Sequence, residues 1–184
     1  MGYIETVFSL RGTSQYLGYD GIIPFIENSK KYGAGIFILV RTSNPSAHDL
    51  QDVKSGSKKI YEIIGHLVNQ WGEGTSGKRH YKSIGAVVGA TYSEEAAKLR
   101  VIMPNSFFLV PGYGIQGATA DDIIPCFNSD GLGAIINSSR GIIFAYQDPL
   151  WKQEHGELSF EIAIEAAVVK MKEEINKVRF IKSP

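Results

Sequence analysis

Cysteine is almost absent from this chain of 184 residues, and Cys126 is the only one. A lone thiol excludes an internal disulfide framework and fits a reducing compartment. It lies in the apolar stretch Ile123-Ile124-Pro125-Cys126-Phe127 and reads as a packed thiol, not a nucleophile. An excess of either charge is also missing: 19 basic residues balance 19 acidic ones. That balance offers no basic field for nucleic acid and none for an anionic membrane. No apolar run approaches the ~20 residues of a membrane helix. No secretory leader pattern opens the chain, so the expected location is the cytoplasm. His48, His66, His80 and His155 are scattered without metal-ligand spacing, and no metal site is expected.

Strand-like and helix-like segments alternate through the rest. Asp20 to Tyr32 is predicted as a helix ended by Gly33 to Gly35, and Ile36-Phe37-Ile38-Leu39-Val40 as a buried strand. A wholly apolar run of that kind suits a parallel sheet covered on both faces. Ser55 to Trp71 carries Ile60, Ile63, Ile64, Leu67 and Val68 at helical spacing. Gly72 to Lys82 reads as a mobile glycine-rich segment. Ile84 to Ala90 is the next strand, and Ser93 is the expected cap of a helix reaching Ile102. Phe107 to Val110, a helix over Asp121 to Phe127, a strand over Gly133 to Ile136 and a long helix over Leu158 to Val178 complete the pattern. Glu94 and Glu95 read as helix-start charge, and Lys170, Lys172, Glu173 and Glu174 as a solvated helix face. The alternation predicts a parallel α/β sheet, either part of a (β/α) barrel or an open sheet. No linker or second domain is visible. The opening residues fit less well, with a candidate strand over Ile4 to Leu10.

Two apolar runs end in unusual chemistry. Phe107-Phe108-Leu109-Val110 runs into Pro111-Gly112-Tyr113-Gly114-Ile115-Gln116-Gly117, and Ala134-Ile135-Ile136 into Asn137-Ser138-Ser139-Arg140-Gly141-Ile142. Glycines let the backbone approach a ligand closely, and exposed N–H groups in such loops attract anions. Gln116 adds an amide donor, and Arg140 a planar fork that matches phosphate. Consecutive strand ends of this kind predict a phosphate site at the carboxyl edge of the sheet, where (β/α) barrels commonly place one. The competing reading is that Gly112, Gly114 and Gly117 only make a tight connection.

These two motifs, with Tyr16-Leu17-Gly18-Tyr19-Asp20, Val40-Arg41-Thr42-Ser43-Asn44-Pro45-Ser46 and Val87-Val88-Gly89-Ala90-Thr91, resemble orotidine 5′-phosphate decarboxylases, in particular the longer bacterial branch. The resemblance runs from about Tyr16 to about Lys177. It implies a (β/α)8 barrel of the TIM type, here about four to five β-α repeats, with residues 1–15 an atypical segment and 16–184 the C-terminal half of the barrel. It implies release of CO2 from orotidine 5′-phosphate to give UMP, without metal or organic cofactor, by a homodimer. By position, Gln116, Gly117, Arg140 and Gly141 correspond to phosphate contacts, and Thr42 and Ser43 to pyrimidine contacts.

The resemblance also names something that is missing. The family's charge network follows the pattern Asp-x-Lys-Arg-x-Asp-Ile. Asp49 and Asp52 near Lys54, Asp121 with Asp122, and Lys78-Arg79 do not reproduce it. No catalytic residue is therefore assigned. The chain is expected to be inactive alone, as the product of a truncated gene, of a misassigned start, or as a fragment completed by a separate N-terminal half. The alternative is a non-catalytic half-barrel that binds UMP or phosphate.

Overall fold

The computed structural model describes residues 4–6, 15–77, 79–155 and 159–180. In chain order these form β1 (Ile4–Thr6), α1 (Tyr19–Tyr32), β2 (Gly35–Arg41), α2 (His48–Gln51), β3 (Lys54–Ser55), β4 (Lys58–Lys59), α3 (Ile60–Trp71) and β5 (Lys82–Val88). There follow α4 (Ser93–Ile102), β6 (Ser106–Pro111), a 3-10 turn over Asp121–Cys126, β7 (Ala134–Asn137), α5 (Ser139–Ile143), α6 (Pro149–His155) and α7 (Phe160–Val178). Strands β1, β2, β5, β6 and β7 make one sheet in that order, every pair parallel. Each strand lies beside the one before it. A doubly wound sheet would reverse its order at a switch point, so this winding is that of a barrel wall and not of the open-sheet alternative.

Strand periodicity puts successive side chains on opposite faces. Ile36, Ile38, Val40, Ile84, Ala86, Val88, Phe108 and Val110 point to one face and pack against Ile22 and Ile26 of α1, Tyr61 and Val68 of α3, and Ala96 and Leu99 of α4. Met171 and Ile175 of α7 join the same core. The opposite face carries Phe37, Gly85, Phe107 and Ile135, which line a concave cavity of about 270 Å³. The expectation of helices on both faces is thus corrected: helices cover one face, and the other is the wall that would face a barrel interior. Gly85 is small for a reason on that side. A Cβ there would fall 2.6 Å from the Phe37 ring and 2.6 Å from the Phe107 carbonyl oxygen.

Several local expectations shift. The helix expected from Ser55 begins at Ile60, because Gly56, at φ +64°, turns Lys54–Lys59 into a small hairpin. The Lys59 amide donates to Glu62 Oε2 at 2.7 Å and starts the helix instead. Ser93 is the first residue of α4 and makes no capping bond; Tyr92 precedes it. The helix expected over Asp121 to Phe127 is a 3-10 turn containing Pro125, whose missing N–H cannot sustain an α-helical ladder. The segment expected to be loose is pinned where it is described: Thr75 is buried, its hydroxyl donates to the Gly72 carbonyl at 2.7 Å, and Lys82 Nζ donates to the Asn69 carbonyl at 2.7 Å. Glu174 is not part of a solvated face, since it is half-buried and accepts a bond from Tyr113. The candidate strand over Ile4 to Leu10 is realised at Ile4–Thr6, beside β2; the rest of it, and Lys78, lie outside the described residues.

Opposite the carboxyl ends, the wall is closed by one buried cation. Arg100 of α4, 9% exposed, donates through Nη1 to the carbonyls of Met103 and Ser106 (3.0 and 2.8 Å). Nη2 donates to those of Cys126 and Gly133 (2.6 and 2.8 Å). Its guanidinium also lies over the Phe108 ring, 3.6 Å from the centroid. Burial lowers its pKa to about 10, so it remains charged at neutral pH. Arg100→Ala would remove a charged donor from all four carbonyls, although Met103 and Gly133 keep the backbone amides of Ser106 and Phe108, and is expected to cost about 3 kcal/mol in a urea unfolding titration. Burial pushes the Cys126 thiol up to about 12. The folded protein should therefore react with a thiol reagent at pH 8 only after unfolding, which a comparison of native and denatured labelling rates checks.

Candidate functional site

The site forms where the carboxyl ends of β2, β5, β6 and β7 meet. The parallel ladder continues past the strands themselves: the Gly89 amide donates to the Arg41 carbonyl at 2.7 Å, and the Ala90 amide to the Pro111 carbonyl at 2.8 Å. These bonds bring the loop after β2 across the end of β5. The approach is so close that a Cβ on Gly89 would lie 2.7 Å from the Ser43 backbone nitrogen. Ser43 also touches the next strand end, because a Cβ on Gly112 would be 3.2 Å from Ser43 Cβ and 3.1 Å from Gln116 Oε1. A predicted pyrimidine contact and a predicted phosphate contact therefore both lie close to one glycine.

The glycine-rich loop is a tight turn. The Gly114 amide donates to the Ala118 carbonyl at 2.9 Å and the Gly117 amide to the Gly114 carbonyl at 2.7 Å, which projects Ile115 and Gln116 outward. Gly112, Gly114 and Gly117 all have positive φ, at 103°, 79° and 96°, where other residues are strained. The loop after β7 locks onto it: Ser138 Oγ donates to the Tyr113 carbonyl at 3.0 Å. Together the two loops line a cleft of about 70 Å³ that includes Gly112, Gln116, Ser138, Ser139, Arg140 and Gly141. Arg140 is exposed, with its charge available to a ligand. Gly141 fits beneath Ser138, whose Oγ would be 2.8 Å from an added Cβ.

Of the predicted residues, Gln116, Arg140 and Gly141 share this cleft, and Ser43 abuts its Gly112 wall. Gly117 closes the turn and does not line the cleft. Thr42 is placed differently. Its hydroxyl donates to Asn44 Oδ1 at 2.6 Å and accepts from Gln51 Nε2 at 2.8 Å, and its amide donates to Gln51 Oε1 at 3.0 Å. Thr42 thus sets the shape of the loop that carries Ser43.

Sequence reasoning passed over the supports of this site. Arg41, 1% exposed, ends β2 beneath Ser43. It lies 3.3 Å from Asp52 Oδ2 and 3.7 Å from Glu95 Oε1, and its guanidinium stacks 3.8 Å from the centre of the Tyr92 ring. Glu95 is therefore more than a helix-start charge. Burial pushes the Asp52 carboxyl up, but the Lys59 hydrogen bond and the Arg41 charge outweigh it and leave its pKa below the ordinary value. A lone buried Arg after an apolar strand was the available signal, because such a charge needs partners. Among the described residues, no group of three or more His, Cys, Asp and Glu could hold a metal ion. Nor is any helix among them long and apolar enough to cross a membrane.

The winding order and the cleft at the carboxyl ends place the molecule among (β/α)-barrel proteins. The sequence matches the model of the Orotidine 5'-phosphate decarboxylase / HUMPS family over residues 13–152, and the chain belongs to that family. It is 48% identical over 136 residues to an orotidine 5'-phosphate decarboxylase of Caldicellulosiruptor bescii, covering 74% of this chain and 45% of the relative. A relative of the same name from Clostridium acetobutylicum is 42% identical over 163 residues, covering 88% of this chain and 55% of the relative. Among solved structures, Leishmania donovani UMP synthase superposes with a TM-score of 0.71 at 30% identity, covering 93% of this chain and 33% of the other. Leishmania donovani OMP decarboxylase superposes at 0.68 and 29% identity, covering 91% and 55%. The chain thus spans about half the length of the curated relatives it matches, and the fold is a partial TIM-type barrel.

The glycine contacts generate a direct test. Gly112→Ala, at φ +103° and wedged against Gln116 and Ser43, is expected to cost about 1–3 kcal/mol. Gly89→Ala, which meets the Ser43 backbone, is expected to cost about as much through overpacking. Urea unfolding midpoints check both.

Proposed function

We propose that this chain supplies the phosphate grip and part of the pyrimidine contact of an orotidine 5′-phosphate decarboxylase, the enzyme that converts orotidine 5′-phosphate to UMP and CO2 at the end of de novo pyrimidine synthesis. The observation that carries this reading is the single cleft shared by Gln116, Arg140 and Gly141, with Ser43 packed against its glycine wall. A volume of about 70 Å³ suits a phosphate group and not a whole nucleotide. In this reading Gln116 and Arg140 donate to the phosphate oxygens. Gly141 allows close backbone approach, and Gly117 permits the turn that presents Gln116. Ser43 meets the pyrimidine, with Thr42 holding it in place. Gripping a phosphate far from the reacting carbon lets binding energy be used at the transition state.

The reacting end is where the chain falls short. Asp52-Val53-Lys54 is the one Asp-x-Lys sequence present, and it continues into Ser55, not Arg. Asp52 is engaged by Arg41 and Lys59, and Lys54 is exposed on β3. In this reading neither Asp52 nor Lys54 stabilises a developing carbanion and protonates it. We therefore read residues 16–184 as the C-terminal half of the barrel, with 1–15 an added segment. A separate half bearing Asp-x-Lys-Arg-x-Asp-Ile would complete it, in the homodimeric, cofactor-free and cytoplasmic setting of the family. The second reading is a non-catalytic half-barrel that binds UMP, which the same missing charge pattern favours.

Titration calorimetry with UMP tests the grip. Arg140→Ala is expected to weaken binding at least about tenfold, the loss of a charge-assisted bidentate contact. Unchanged affinity would reject the phosphate assignment. The chain alone is expected to leave orotidine 5′-phosphate intact. Turnover restored by adding the N-terminal half of a relative supports the decarboxylase reading, whereas UMP binding without turnover in that mixture supports the second.

A further inference from the structure

Three glycines with positive φ widen the conformational freedom that the loop carrying Gln116 must give up, and its own backbone supplies only the two bonds at Gly114 and Gly117 to hold it. Ordering such a loop costs conformational entropy, and a ligand that had to order it would bind more weakly. Something outside the loop must hold it, and Tyr113 is positioned to do so. It stands between Gly112 and Gly114, immediately before the turn that projects Gln116. Its ring is 8% exposed and belongs to the main core. Its carbonyl accepts from Ser138 at 3.0 Å, and its hydroxyl donates to Glu174 Oε2 at 2.6 Å. Glu174 belongs to α7, 61 residues further along the chain. Burial, then the Glu174 bond and charge, push the Tyr113 hydroxyl well above its ordinary pKa, so it remains a donor at neutral pH.

We propose that the Tyr113–Glu174 hydrogen bond is a latch that pre-sets the Gly114–Gly117 turn for its anion, making Tyr113 and Glu174 positioning residues of the phosphate site. The anion half of this proposal rests on the phosphate reading given above; the loop-ordering half does not. The latch ties the site to the last helix, so α7 contributes to ligand affinity without touching the ligand. A purely structural tether would behave differently, since its loss would lower global stability and leave the turn and its affinity as they were.

Two readouts on the full chain separate these cases. The first is hydrogen exchange at the Gly114 and Gly117 amides, which close the turn, with the Phe108 amide as a core reference. The second is UMP affinity by calorimetry. Tyr113→Phe and Glu174→Ala are each expected to speed exchange of the two turn amides about tenfold, leaving the Phe108 amide unchanged. Each should also weaken UMP about tenfold. Glu174→Gln keeps an acceptor oxygen and should stay within about threefold of the parent in both readouts. The Tyr113→Phe/Glu174→Ala double variant should be no worse than either single one, as expected for two ends of one bond. Exchange unchanged in Tyr113→Phe and Glu174→Ala, or Glu174→Gln as impaired as Glu174→Ala, would overturn the latch. So would faster exchange with unaltered UMP affinity. If the parent chain does not bind UMP, the phosphate reading falls, and the exchange rates alone still decide whether the latch orders the turn.

Discussion

Two backbone hydrogen bonds beyond the ends of the strands hold the candidate site together. Gly89 donates to Arg41 and Ala90 to Pro111, so the parallel ladder persists just where the chain leaves the sheet. Without them the loops after β2, β5 and β6 would be three separate connections. With them, Ser43 is drawn over Gly89 and against Gly112, and Gln116 lies close to the same glycine. The price is steric: Gly89 has no room for a Cβ, and one on Gly112 would crowd Ser43 and Gln116 at a positive φ. The functional geometry is thus a consequence of ladder geometry, in keeping with the placement of barrel sites at the carboxyl face.

A site made of glycines gains close approach and loses rigidity, and the surrounding structure restores the rigidity from several directions. Ser138 reaches across from β7 to the Tyr113 carbonyl, Tyr113 anchors its ring in the core, and Glu174 holds its hydroxyl from α7. Under Ser43 the same task falls to Arg41, whose charge is compensated by Asp52 and Glu95 and covered by the Tyr92 ring. A buried charge of this kind is tolerable only with such partners. Both devices place stiff, buried side chains beneath the loops that carry the site.

The same constraint appears on the far side of the sheet. One face is sealed by α1, α3, α4 and α7, while the other leaves Phe37, Phe107 and Ile135 around a concave cavity. β6 records this in its burial, with Ser106, Phe108 and Val110 buried and Phe107 and Leu109 only partly so. A closed barrel would cover that second face with side chains from the remaining strands. The span of about half of each curated relative accords with a wall of five strands.

Much of this was legible in the residues taken alone. Apolar runs such as Ile36 to Val40 and the helical spacing of Ile60 to Val68 are local signals of period two and 3.6, and the elements lie where those periods put them. The alternation of strand and helix marked a parallel α/β sheet, and the strand-end motifs marked Gln116 and Arg140 as neighbours of one site. The errors were local too: Gly56 delayed α3, and Pro125 converted a helix to a 3-10 turn. What only the tertiary structure decided are the contacts between distant residues: the winding order of the strands, the seat of Ser43 on Gly89, the turning of Thr42 toward Gln51, and the bond from Tyr113 to Glu174. Periodicity specifies which face of an element is apolar, but it carries no information about which element that face will meet. That choice is made by packing the whole wall at once, and the chemistry of the site follows from it.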